Sequence, residues 1–469
     1  MEIVSLNRKR QISKRITYHL TIYYGMLILA TIIGVAYGVF FSELFFESDK
    51  PQWIETTANV LKLIWIIPLP YAIVNFYSFA KYPVFLRKQP PAIQPVAGVR
   101  LFFRIVTRGK NPNLVAASVK DAVQVLSELM DSRYWRVEVV TDSPLDIPEA
   151  DVIVVPKEYT TPNRTLYKGR ALQYALSASS ATDSDWIIHL DEETRFDADT
   201  VRTIYAFARQ EHLRLKQEKN ALPKVGQGVI LYGKRHITSW ITTLADSIRV
   251  GDDYGRFRLQ FEHGKAYFGM HGSFIVINNG LEKRFGFDHG PESSITEDAY
   301  LALIMQQAGV EFQFLNTFMY EQSPFNIMDY IRQRRRWFGG LWLVAMAREI
   351  AWKERAILWT FMVMWSVSWL CLLMVYLNVI FPTQTPVWLA IMGGVSFLYY
   401  VTLYVIGFLR TFDYKSLGWR FFPLLLLQII LIPLFSAMES GGVVYGLFAP
   451  PRDFYVVQKE DTTIATSVS

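Results

Sequence analysis

SDWIIHLDEETRF, residues 184–196, holds an apolar run that ends abruptly in three adjacent acids. The run Trp186 to Leu190 reads as a strand buried on both faces, so its end lies at the rim of a sheet. Carboxylates there are costly unless they meet a cation. Hard divalent ions such as Mg²⁺ or Mn²⁺ take oxygen ligands, often from one or two carboxylates plus substrate phosphates. Asp191 and Glu193 are two apart and share one side of an extended segment, with Glu192 turned away. The plainer alternative is an acidic turn that caps the next helix, ADTVRTIYAFAR.

Outward from this strand the chain alternates strands and helices. VRLFFRIVT (99–107), WRVEVVT (135–141) and ADVIVVP (150–156) are strand-like, rich in branched and aromatic residues. Val115, Val119, Ala122, Leu126 and Leu129 share one face of a helix that Asn111 can cap and Pro112 can start. KGRALQYALSAS (168–179) reads as another helix. This alternation predicts an α/β domain with a Rossmann-like, mostly parallel sheet and helices on both faces. Such sheets bind ligands beyond the carboxyl ends of their strands.

The 469 residues are 51% hydrophobic and 15% aromatic, and the apolar ones gather before residue 81 and after residue 355. Membrane spans are predicted at 16–41, 60–80, 356–381, 386–409 and 421–437, the second kinked by Pro68 and Pro70. Beyond 437, Glu439, Gly441 and Gly442 interrupt the pattern before VVYGLFA, which leaves a long tilted helix and a re-entrant segment both open. Arg8, Lys9, Arg10, Lys14 and Arg15 precede the first span; Lys81, Arg87 and Lys88 follow the second. The positive-inside rule then places the middle domain in the cytosol, with the 410–420 turn on the same side. Four regions result: a two-span membrane region (1–88), a soluble domain (97–345) after the proline-rich linker RKQPPAIQPVAG, a membrane region of about three spans (356–449), and a tail (450–469). The net charge of +6 flanks apolar spans, and no RNA-binding motif is present, so nucleic acid is not an expected partner. The single cysteine, Cys371, rules out an intrachain disulfide framework and reads as packing.

Two more constellations carry chemistry. In SSITEDAYLALIMQQAG (293–309), Thr296, Glu297 and Asp298 precede an apolar-periodic segment. They suit a helix N-terminus, where the dipole favours acids, or a general base at the mouth of a site. In YIRQRRRWFGGLW (330–342), Arg332, Arg334, Arg335 and Arg336 crowd around Gln333 and Trp337. They suit an interfacial helix with snorkelling arginines and an anchoring tryptophan. They equally suit recognition of a diphosphate by planar guanidinium groups.

Asp191-Glu192-Glu193, Glu297-Asp298 and Gln333-Arg334-Arg335-Arg336-Trp337, in this order between two spans and three, resemble the membrane-bound inverting glycosyltransferases of family 2. That family, of GT-A type, orders a D-x-D-like metal motif, an E-D base motif and Q-x-x-R-W. Glu193 stands where the family's triplet ends in Asp. VTRG, EVVTD, VVPKEY, RALQYAL, DSDWIIHLDEET, TTLADSIRV, QRRRW and the tail block FYVVQK resemble the egghead-type β-1,4-mannosyltransferases over nearly the full length. NRTLYKGRAL and YFGMHGSF match in outline.

The resemblance implies a GT-A catalytic domain, cytosolic and flanked by transmembrane helices. It implies inverting transfer of mannose from GDP-mannose to a glucosylceramide-like membrane glycolipid in β-1,4 linkage. Asp298 is the expected base with Glu297 beside it. Asp191 and Glu193 are expected to hold Mn²⁺ or Mg²⁺. Gln333, Arg336 and Trp337 are expected around the donor diphosphate, together with Asp191. Thr107, Arg108 and Gly109 are expected near the donor phosphate or ribose, Asp142 at its base or ribose, Lys168 and Arg170 at its phosphates, and His271, Gly272 and Ser273 to line the acceptor pocket. The expected partners are GDP-mannose, the glycolipid and the lipid bilayer. The expected location is an ER or Golgi membrane in a eukaryote, or the plasma membrane in a prokaryote. The nearest rivals are a processive family 2 polysaccharide synthase and a family 2 enzyme with another nucleotide sugar and lipid. A transporter is disfavoured because the spans show no charge pairs or internal repeats. A dead scaffold is disfavoured by the intact set Asp191, Glu193, Asp298 and Arg336.

Overall fold

The strand ending in Asp191 lies in the middle of an eight-stranded sheet in the computed structural model. The structure describes residues 2–451 except 87, 88, 219, 235 and 236, with side chains from residue 19 onward. The side chains of Arg8, Lys9, Arg10, Lys14 and Arg15, and residues Arg87, Lys88 and 452–469 with the FYVVQK block, lie outside the described set.

The strands are β1 (Leu101–Thr107), β2 (Trp135–Thr141), β3 (Asp151–Val154), β4 (Trp186–Asp191), β5 (Arg195–Phe196), β6 (Val225–Tyr232), β7 (Ile275–Asn278) and β8 (Phe312–Glu321). Their order is β3-β2-β1-β4-β7-β6-β8-β5. The first four are parallel, as the alternation predicts. The sheet as a whole is mixed but mostly parallel, as expected: β6 and β8 run in the same direction as the first four, and only β5 and β7 are reversed. β7 runs antiparallel between β4 and β6, and β5 antiparallel to β8. A bend at 272–274 precedes β7. Phe274 takes a left-handed backbone (φ 60°) and donates its N–H to the His189 carbonyl at 2.8 Å. A bulky residue there costs on the order of 1–3 kcal/mol. Its buried ring is accommodated because Gly228 has no side chain.

β1 is buried on both faces. Leu101, Phe103 and Ile105 pack with Val115, Val119 and Leu126 of helix Pro112–Ser127, and Phe102 packs oppositely with Leu172 and Leu176 of helix Tyr167–Ala178. Register aligns Thr107 with Thr141 and Val106 with Asp191, so the carboxyl ends of β1, β2 and β4 form one rim. The helix after the acids, Ala198–Gln217, is capped by Asp197, which accepts from the Thr200 N–H at 2.9 Å. The acids 191–193 are therefore not its cap. Asn111 does not cap either, because its amide donates to Glu192 at 2.8 Å.

Among the described residues, four helices are long and apolar enough to cross a membrane: His19–Phe40, Gln52–Lys81, Trp352–Ile380 and Val387–Thr411. The second is broken around Pro68, as its prolines predict. Tyr414–Ile430 and Ile432–Phe448 form a pair bent by 52° that supplies a fifth span if taken as one. The break falls at Leu431, before Pro433, so the last span does not end at 437. Glu439 lies inside the last helix, where it accepts from Arg334 at 2.6 Å and from Tyr330 at 3.0 Å. Gly442 lets that helix approach helix Ile327–Met346: a methyl there would lie 2.4 Å from Arg334 Cβ. The apparent interruption is thus a helix–helix contact. Helix Gln52–Lys62 also ends in a buried charge, Lys62, which donates to carbonyl and hydroxyl oxygens.

Small residues join the spans, as close backbone packing in membranes requires. A methyl on Gly38 would lie 2.4 Å from the Ala390 carbonyl oxygen, and one on Gly394 would lie 2.4 Å from that of Gly34. Gly251 and Gly407 similarly let helix Ser247–Asp252 of the sheet domain press against Val387–Thr411.

A buried charge network crosses the sheet. Arg104 donates to Glu138 (2.9 Å) and Glu282 (3.1 Å), and His189 pairs with Glu282 at 2.6 Å. Burial alone would raise the Glu282 carboxyl, but His189 and Arg104 hold it below the ordinary value. Glu282→Ala leaves Arg104 partly unpaired, and the thermal unfolding midpoint in detergent is expected to fall, equivalent to about 3–5 kcal/mol.

Candidate active site

The rim formed by β1, β2 and β4 opens into a cavity of about 1460 Å³. The central cation is Lys168, at the start of helix Tyr167–Ala178. It donates to Asp191 at 2.6 Å and to the Gly272 carbonyl at 2.7 Å. Burial would lower its ammonium pKa, but Asp191, Glu297 and Asp298 outweigh burial and raise it. Glu297 and Asp298 open helix Glu297–Gln307 and face the same cavity. Burial raises both carboxyls above the ordinary range. Asp298 pushes Glu297 up further, while Lys168 pulls both down. Two adjacent carboxyls in such a site hold a proton more readily than exposed acids do.

Every expected site residue except Gly109 lines this cavity. Gly109 has a left-handed backbone (φ 74°) and donates its N–H to Thr107 Oγ1 at 3.0 Å, so it shapes the turn. Thr107 in turn donates to Glu192 at 2.6 Å. Glu192 is thereby directed to Thr107 and Asn111, away from Asp191. Arg170 and Asp142 pair with each other at 2.7 Å, and Arg170 also donates to the Pro156 and Tyr159 carbonyls. His271 pairs with Asp253 at 2.5 Å and packs on Phe257. Ser273 hydrogen-bonds Thr194 at 3.1 Å, and Thr194 also accepts from the Asp191 N–H.

The four arginines of 332–336 divide. Arg334 is fully buried, bonded to Asp246 and Glu439 at 2.6 Å each and to Gln333 Oε1 at 2.9 Å, which corrects the reading of a snorkelling side chain. Arg335 holds the Ala449 and Pro450 carbonyls. Arg332 is mostly exposed and pairs loosely with Asp329. Arg336 faces the cavity. Burial lowers its guanidinium pKa, and Glu297, Asp191 and Asp298 pull it back up.

Arg249 was not singled out in the sequence. It lies flat against Trp337 (4.1 Å) and Tyr232 (4.4 Å), lines the cavity, and makes no ion pair among the described residues. Its positive charge adds to the downward push on Arg336. Two cations side by side leave a place for an anion. The block TTLADSIRV contained Arg249, but nothing in its spacing marks it off from a surface arginine. Asp253, the partner of His271, is likewise visible only in the fold.

Among the described residues, no three His, Cys, Asp or Glu converge to hold a metal unaided. Asp191 and Glu193 nonetheless line one cavity as hard oxygen donors, and the Asp191 side chain is 42% exposed. That donor set fits a Mg²⁺ or Mn²⁺ whose remaining ligands come from a diphosphate and water.

A sheet whose strand ends gather acids, guanidinium groups and a lysine beside long apolar helices defines a candidate nucleotide-sugar site. The family described as "Glycosyl transferase family group 2" matches residues 186–412. The chain is 32% identical over 416 residues to "Beta-1,4-mannosyltransferase egh" of Drosophila melanogaster, covering 87% of this chain and 88% of that one. It is 30% identical over 462 residues to "Beta-1,4-mannosyltransferase bre-3" of Caenorhabditis elegans, covering 93% and 97%. A solved structure, "Mannosyltransferase PcManGT from Pyrobaculum calidifontis in complex with GDP-Man and Mn2+", is 13% identical, with a TM-score of 0.45 over 83% of this chain and 99% of that one. The class is thus a glycosyltransferase of family 2. Within that class the chain belongs to the egghead-type β-1,4-mannosyltransferases.

Two measurements test the geometry. A methyl on Gly272 would stand 3.0 Å from Asp298 Oδ2 and 3.4 Å from Lys168 Nζ. Gly272→Ala is expected to cut activity by about tenfold or more while unfolding is unchanged, since misplacing reacting groups is costly. The acid limb of the kcat/KM–pH profile is expected above the ordinary carboxylate range, because the raised groups must lose protons to act as bases. Lys168 lowers both, so in Lys168→Gln the limb moves to still higher pH.

Proposed function

We propose that the chain is an inverting β-1,4-mannosyltransferase that moves mannose from GDP-mannose to a membrane glycolipid of the glucosylceramide type. One observation carries this reading: the cavity holding Asp191, Lys168 and Asp298 continues between membrane helices, past Trp65, Phe361, Trp365 and Leu372. A soluble acceptor needs no such wall, whereas a lipid-borne sugar does. The names of the relatives supply mannose and the linkage. The soluble domain (97–345), placed between membrane regions 1–88 and 356–449, faces the cytosol in this reading.

Asp298 takes the proton from the acceptor hydroxyl. The freed oxygen attacks the anomeric carbon from the face opposite the leaving group. The bond to the diphosphate breaks, its electron pair leaves with GDP, and the α-linked sugar becomes β-linked. Glu297 lies beside Asp298, and the pair holds a proton more readily than exposed acids do. Arg336, with Arg249 beside it and the free amide of Gln333, receives the charge on the departing diphosphate. Asp191 and Glu193 would hold the divalent ion, which when bound supplies Lewis-acid stabilisation of that charge. Lys168 holds Asp191 in place. Trp337 is held between Arg249 and Arg334 and positions the first of them.

Membranes containing the protein, supplied with GDP-mannose, glucosylceramide and Mn²⁺, are expected to release GDP and form one singly mannosylated lipid. Donor consumption without that lipid removes the acceptor reading. Asp298→Asn is expected to lower kcat by about a hundredfold or more with GDP affinity kept. Arg249→Ala is expected to raise the donor KM by about tenfold or more, the worth of a charge-assisted hydrogen bond. An unchanged donor KM would remove Arg249 from the site.

A further inference from the structure

The cavity is longer than a site for a sugar head needs to be. Along helix Trp352–Ile380 it is lined by Phe361, Trp365, Ser368, Leu372, Tyr376 and Val379, a single face of the helix. From Phe361 to Val379 that face runs about 27 Å at the rise of an α-helix. The hydrocarbon core of a bilayer is about 30 Å thick. The groove therefore starts at the catalytic acids and runs across nearly the whole membrane, well past its midplane. At the far end it meets the 382–385 turn. That turn is pinned by buried Lys62, which donates to the carbonyls of Thr383 (2.9 Å) and Gln384 (3.1 Å) and to Thr385 Oγ1 (2.7 Å).

A lipid whose head is at Asp298 has tails that reach only about half the core if they stay in one leaflet. A groove continuous with the site, lined along helix Trp352–Ile380 mainly by aromatic and aliphatic side chains and tied at its far end, suits something else. We propose that the groove binds one hydrocarbon chain of the acceptor lipid, extended beyond the bilayer midplane. The enzyme then selects acceptors by chain length as well as by head group. This rests on the glycolipid-acceptor reading above. The preference comes from packing, because lipid tails outside the groove are as apolar as its walls. An acceptor with a short chain leaves the far half of the groove without its specific contacts.

The test compares glucosylceramides that differ only in N-acyl length, from about eight to about twenty-four carbons, in membranes of fixed composition. Two variants are used. Leu372→Trp fills the groove about 16 Å along it from Phe361. Leu373→Trp adds the same ring to a neighbouring residue that is 43% exposed and does not line the groove. In the unmodified protein kcat/KM is expected to rise with chain length. Leu372→Trp is expected to lower it about tenfold for long chains, the scale of overpacking, and to leave short chains unchanged. Leu373→Trp is expected to behave like the unmodified protein. Equal transfer at every length, or equal loss at every length in Leu372→Trp, overturns the groove assignment while leaving the acceptor reading intact. No transfer to any glycosylceramide overturns the acceptor reading itself. A product carrying several sugars, blocked by Leu372→Trp, overturns the lipid assignment in favour of a polymer path.

Discussion

The site depends on one ammonium among carboxylates. Asp191 comes from the end of β4, and Glu297 and Asp298 from the start of a helix far along the chain. Without a cation their charges repel in a buried place. Lys168 relieves that repulsion by reaching from a third element to Asp191 and to the Gly272 carbonyl. It thereby ties the strand rim to the loop at Gly272, with the acid pair close by. The same lysine limits how far burial can raise the acids. An acid pair raised too far would stay protonated and fail as a base; one not raised at all would be a weak base.

A second knot joins the chemistry to the membrane. Arg334 is fully buried between Asp246 of the sheet domain and Glu439 of the last helix. Burying an ion pair is expensive, and its contribution is geometry more than stability. Here it sets the rotation of helix Ile327–Met346. With Arg334 turned inward, Arg336 two residues later faces the cavity, and Trp337 is clasped between Arg249 and Arg334. Gly442 makes the approach close enough for the knot to form.

Much of this was legible in the chain. Alternation of two-faced apolar strands with amphipathic helices marks β1 to β4, because local periodicity reflects burial directly. The three motifs stand out because acids and arginines at strand and helix ends are rare without a charged ligand. The spans are legible because about twenty apolar residues have few other uses. What stayed hidden depends on distant partners. The antiparallel β7 pairs with β4 and β6, and the Phe274 ring just before it needs the space that Gly228 leaves. Arg249 is an ordinary basic residue until Trp337 and Tyr232 close on it. Glu439 and Gly442 look like a broken span until helix Ile327–Met346 is laid beside them.

By itself, then, the sequence determined the membrane frame, the start of the sheet and the residue types at its rim, since each follows from patterns within a few turns or one strand. The tertiary structure decided which arginine is structural and which faces the cavity, how Lys168 reaches three acids, and that the site runs on as a groove through the spans. Those outcomes rest on contacts between segments well separated in the chain, such as Arg334 with Asp246 and Glu439. The apolar run before DEE indicates that its acids stand at a rim; only the folded chain shows what stands opposite them.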